Sequence, residues 1–156
     1  MGILFSKFNP STGYLEKMNK LSATNQDESR VGDVYLVTYE FQPDSYSTPY
    51  SPHYTIVVDL CGESTEKLPK GMEIHINPLK DFSLQLCIER LDRLPKSKDL
   101  SFQKLGRIEN QYHPGNPREW CVALGSVVEN SWFPEFTTLK GKFWNRTCHS
   151  DQFAKF

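Results

Sequence analysis

No apolar run in this chain exceeds five residues, against the roughly 20 that a membrane-spanning helix needs. That argues against a helical span. Nor is there a surplus of one charge: 18 Lys and Arg face 19 Asp and Glu, a formal charge of −1. Without a broad basic field to hold a phosphate backbone, general nucleic-acid binding is disfavoured. A secretory leader pattern is missing too, because Ile3-Leu4-Phe5 gives way at once to Ser6, Lys7, Asn9 and Pro10. The expected location is therefore cytoplasmic, where thiols stay reduced.

Cysteine is sparse and badly spaced for metal. Cys61, Cys87, Cys121 and Cys148 form no C-x-x-C pair and have no His at finger spacing, so neither a zinc finger nor a disulfide framework is expected. Gly62, Gly71, Gly106, Gly115 and Gly125 stand singly, so there is no glycine-rich phosphate loop. Asp59, Glu63, Glu66, Glu73 and Asp81 are scattered and match neither a paired-carboxylate site nor a calcium loop. Nothing in the pattern calls for a metal or a cofactor. The sequon Asn145-Arg146-Thr147 lacks the export signal that would give it meaning.

What remains is a chain of 156 residues, 38% hydrophobic and 13% aromatic, long enough for one packed core. Residues 1–30 are rich in Ser, Asn, Lys and Gln and read as a flexible N-terminal arm; residues 31–156 read as a single domain. Val31–Glu40 is dense in β-branched and aromatic residues and precedes the turn Gln42-Pro43-Asp44. His53–Leu60 alternates, with Tyr54, Ile56, Val58 and Leu60 on one face and His53, Thr55, Val57 and Asp59 on the other. Met72–Asn77 and Phe82–Ile88 repeat the alternation, and Leu100–Glu109 is a fifth, less regular strand.

The period changes at Asn116-Pro117-Arg118-Glu119. Asn116 is suited to cap a helix, Pro117 to its first position, and Glu119 to the reciprocal place in a capping box. Trp120, Cys121, Leu124, Val127 and Val128 then make one apolar stripe. The fold class is α+β: an antiparallel sheet meander with one main helix packed on it. The aromatic tail from Trp132 to Phe156 either packs back over the sheet or offers a partner surface.

Two motifs carry chemistry. Met1-Gly2-Ile3-Leu4-Phe5-Ser6 fits the N-myristoylation pattern, with Lys7 after the Ser. Gly2 would carry the acyl chain and give reversible, peripheral membrane contact, since one chain alone anchors weakly. The second is a constellation: His53 opens a strand, His75 lies on the next, and a helix start follows. The stretches Ser51-Pro52-His53-Tyr54-Thr55-Ile56-Val57-Val58, Ile74-His75-Ile76 and Asn116-Pro117-Arg118-Glu119-Trp120 resemble the permuted papain-like fold of lecithin:retinol acyltransferases, related phospholipases and NlpC-type peptidases. The order is also similar to that of a group of uncharacterised fungal proteins. The resemblance covers about residues 31–130. It implies His53 as base, His75 as its orienting partner, and a nucleophilic cysteine at the helix start.

At that helix start, however, stands Pro117, so the family thiol is missing. Cys121, one turn further on, is either a displaced nucleophile or a buried structural residue of the apolar stripe. Cys87, on the strand face opposite the Phe82 row, is a second thiol candidate. His113 reads as loop, and Cys148-His149-Ser150-Asp151 as a polar tail rather than a triad. Arg90, Arg93, Lys96 and Lys98 make a basic run that is either a solvated turn or a contact for anionic headgroups. The favoured function is a catalytically degenerate binding or regulatory module whose ligand is a protein, or a lipid or acyl group. The alternatives are a thiol hydrolase or acyltransferase working through Cys121, His53 and His75, and an ordinary interaction domain.

Overall fold

A computed structural model describes residues 28–40, 53–93, 100–109, 112, 115–145 and 148–156. The predicted alternation becomes five strands: β1 (Asp33–Tyr39), β2 (His53–Val58), β3 (Gly71–Pro78), β4 (Leu84–Leu91) and β5 (Leu100–Arg107). They form one antiparallel sheet in the order β4-β3-β2-β1-β5. The meander holds for the first four strands. β5 does not extend it beside β4 but crosses to the far edge and pairs with β1, with a register shift between Val34 and Tyr35. At Gly71, φ is +151°, and a Cβ there would lie 2.1 Å from the Val58 carbonyl oxygen, so only glycine lets β3 approach β2 at this point.

The helix starts where its signals fall. α1 (Pro117–Val127) is capped by Asn116, whose side chain accepts the Glu119 N–H at 2.9 Å. The reciprocal arm differs from a capping box, because the Glu119 carboxylate accepts from the Asn116 side-chain amide at 3.3 Å. A wide π turn over Val128–Trp132 leads into α2 (Phe133–Lys140), immediately ahead of Pro134, which has no N–H to give to the preceding turn. A short α3 (Ser150–Ala154) has a complete capping box: the His149 side chain accepts the Asp151 N–H and the Gln152 side chain accepts the His149 N–H. His149 is thus a helix cap. Among the described residues no helix is long and apolar enough to cross a membrane.

Alternation gives the sheet two unlike faces. Ile56, Val58, Met72, Ile74 and Ile76 point to the helices and join Trp120, Cys121, Val128, Phe136 and Phe153 in the main core. The aromatic tail packs back over the sheet. Phe153 stacks on Trp132 at 4.6 Å between ring centroids and meets Phe133 and Phe136 edge-on, while the Ser150 hydroxyl accepts the Tyr54 N–H at 3.1 Å. On the other face Tyr35, Val37, Tyr39, Val57, Leu68 and Leu91 form a second buried cluster, with Leu100 and Phe102 against it.

The loop after β2 is fixed by charge. The buried Asp59 carboxylate accepts four backbone N–H groups, from Cys61, Gly62, Glu63 and Ser64. Glu63 takes the Arg90 guanidinium at 2.6 and 2.7 Å in a buried pair. Arg90 therefore leaves the basic run, whether that run is a solvated turn or a headgroup contact. Lys96 and Lys98 lie outside the described residues, as do Gly2 and nearly all of the expected N-terminal arm.

Candidate functional site

The second face carries the chemistry. Register sets Tyr39 opposite His53, Val57 opposite Glu73, His75 opposite Cys87 and Glu73 opposite Glu89. Residues directly opposite in antiparallel strands share a face, and diagonal neighbours are within reach of long side chains. His53 Nε2 lies 2.9 Å from His75 Nδ1, with the rings near perpendicular at 85°. His75 Nε2 lies 3.1 Å from Glu89 Oε2. A hydrogen-bonded chain thus runs across three strands, from His53 on β2 through His75 on β3 to Glu89 on β4.

The chain has a direction. A carboxylate only accepts, so the His75 proton sits on Nε2 and is donated to Glu89, leaving Nδ1 to accept from His53 Nε2–H when both rings are neutral. A carboxylate that fixes an imidazole, which in turn fixes a second imidazole, is an orienting arrangement. His75 is 6% exposed rather than solvated, whereas the Glu89 side chain is 60% exposed. The site is closed on its β3 side and open at β4.

Glu73 makes a second polar cluster beside the first. Its Oε2 accepts the Tyr39 hydroxyl at 2.5 Å and the Thr55 hydroxyl at 2.9 Å. Burial, and then the Glu73 charge, push the Tyr39 phenol well above its ordinary range, so Tyr39 remains a donor.

His53 and His75 therefore meet as their strand parity permits, but no thiol joins them. Cys121 is fully buried in the main core with Trp120 and the helix-facing Ile74. It lies across the sheet from His53 and His75, which corrects its candidacy as a displaced nucleophile: alternation sends Ile74 and His75 to opposite faces, and Cys121 packs with Ile74. Pro117, at the start of α1, is on the helix side as well. Cys87 does share the face of His75, half-buried, with the Asn77 amide 3.6 Å from its sulfur. Burial, and then the charge of Glu89, raise its pKa, and both ring nitrogens of His75 are already engaged. Cys61 is pushed up to about 12, chiefly by burial, and burial raises Cys148.

Glu73 and Glu89 are the site residues that sequence reasoning missed. Each stands two positions from a residue already singled out, His75 and Cys87, and so shares its strand face. A groove of about 390 Å³ lies elsewhere, on the flank of α1, lined by Asn116, Arg118, Glu119, Val122 and Ala123. His113 lies outside the described residues. No protein-family model, no curated protein and no solved structure matches this chain.

Proposed function

We propose that this chain is a binding or regulatory module whose ligand face is the His53–His75–Glu89 side of the sheet, built on a strand and helix order that resembles permuted papain-like proteins but without their thiol chemistry. One observation carries the reading: the two imidazoles and Glu89 are bonded in a chain on one face, while Cys121 is buried on the other. Acyl transfer through a thioester needs a thiolate within hydrogen-bond reach of its base, and the two neighbours that could supply it do not. Cys121 is across the sheet, and burial, followed by the Glu89 charge, pushes the Cys87 thiol up, against the thiolate. The partner classes are a protein, or a lipid or acyl group. In this reading the module is cytoplasmic and touches membranes peripherally through an acyl chain on Gly2.

The test is acyl trapping. The full chain, incubated with p-nitrophenyl acetate at neutral pH and digested for mass spectrometry, yields no acetyl-cysteine above the level of a denatured control. An acetylated Cys121 or Cys87 that disappears in His53→Ala would restore the thiol acyltransferase. For the membrane part, Gly2→Ala shifts the protein from the membrane to the soluble fraction of a myristoylating host; an unchanged distribution would remove that part alone.

A further inference from the structure

Two carboxylates in direct cross-strand register repel, and β3 and β4 place Glu73 opposite Glu89. The buried His75 shares their face, two residues along β3 from Glu73. One donor atom each from Glu73, His75 and Glu89 lies within 4.8 Å of the others. We propose that these three residues form a binding site for a divalent transition-metal cation with nitrogen and oxygen ligands, of which Zn²⁺ is the representative.

Four features support it beyond the cluster itself. Glu73 is 6% exposed, and its Oε2 is held in place by the Tyr39 and Thr55 hydroxyls. Hydroxyls that fix a carboxylate in this way are the outer-shell partners that orient a metal ligand. His75 presents Nε2 to Glu89, with Nδ1 held by His53. That outer hydrogen bond is what orients a metal-binding imidazole. The 3.1 Å between Nε2 and Glu89 Oε2 is close to the edge of a tetrahedron around zinc, about 3.4 Å for bonds of about 2.1 Å. Glu89 is exposed, so the cation can enter from the β4 side and keep water in its open positions.

The ligand set also selects. One imidazole with two carboxylates suits Zn²⁺, Mn²⁺ or Fe²⁺ and falls short of the six to eight oxygens that Ca²⁺ takes. A metal on Nε2 displaces the proton that Nε2 gives to Glu89. His75 then carries its proton on Nδ1 and donates it to His53 Nε2, so binding reverses the hydrogen bond between the two rings.

The inference rests on the reading of this face as the ligand face. The two fail separately, because metal titration leaves acyl trapping at the cysteines untouched. The experiment is calorimetric titration of the full chain with ZnCl₂, repeated with Glu89→Gln, His75→Gln and the exposed-turn control Asp81→Asn, and accompanied by Co²⁺ absorption spectra. The wild type binds one equivalent with micromolar affinity or better. Glu89→Gln weakens binding at least tenfold, Asp81→Asn leaves it unchanged, and bound Co²⁺ gives weak visible bands without a strong near-ultraviolet thiolate band. Glu89→Gln alters a solvent-facing side chain, so it decides the matter even if His75→Gln does not fold. Absence of saturable binding, equal affinity in Glu89→Gln, or a thiolate band would each overturn the site.

Discussion

Tyr39→Phe removes one oxygen and leaves the ring in place, so it isolates the bond that holds Glu73. The Tyr39 hydroxyl donates to Glu73 Oε2 at 2.5 Å, and both residues are at most 6% exposed. A hydrogen bond to a charged acceptor contributes about 1.5 to 3 kcal/mol, and here the acceptor has little water to turn to. Thr55 remains on the same oxygen at 2.9 Å, so the loss falls short of fully stranding the carboxylate. We expect about 2 kcal/mol in urea unfolding, which for a chain of this size lowers Tm by about 4 to 8 °C. The same substitution in a Glu73→Gln background should cost under about 1 kcal/mol, because the acceptor is then neutral. A Tyr39→Phe loss within about 0.5 kcal/mol of zero, or an equal loss in both backgrounds, would refute the claim that this hydroxyl supports the carboxylate.

The same phenol makes a pH prediction. The unfolded chain gives up this proton near pH 10, whereas the folded one keeps it to higher pH, so the unfolded state gains as pH rises. Wild-type stability should fall more steeply than that of Tyr39→Phe above about pH 10, measured by urea midpoints; parallel curves would show that Tyr39 is not held protonated. In the main core, Phe153→Ala removes a ring 1% exposed that stacks on Trp132, and it should cost about 3 to 5 kcal/mol. A loss below about 1 kcal/mol would mean that the aromatic tail does not close that core.

The strands were legible because alternation is a local property. His53–Leu60, read as one strand, ends at Val58; the Asp59 backbone still bonds to Gly32 and Asp33, while its side chain gathers the N–H groups of the loop that follows. Phe82, read as a strand residue, sits at φ 64° in the turn, and β4 starts at Leu84. The helix start was legible from Asn116 and Pro117, whose cap geometry is also local. Register was not. Which glutamate faces Glu73 depends on how β3 slides along β4, and no residue in either strand encodes that alone. For the same reason Cys121 and the two histidines looked compatible: parity placed each residue on a face of its own element, and only the packing of α1 on the Ile74 side separates them. The β5 crossover to β1 was hidden as well, since residues 94–99, outside the described set, join two strands that need not be neighbours.

Site-resolved iodoacetamide labelling of the native chain at pH 7.5, with each cysteine followed by mass spectrometry, tests the absence of a thiol enzyme most directly. A thiol pushed up to about 12, as at Cys61, has a thiolate fraction on the order of a thousandfold below that of free cysteine. Cys61 and the core-buried Cys121 should be the slowest, and none of the four should react faster than free cysteine. A cysteine labelled faster than free cysteine, and slowed to the free rate by His53→Ala or His75→Ala, would contradict the account.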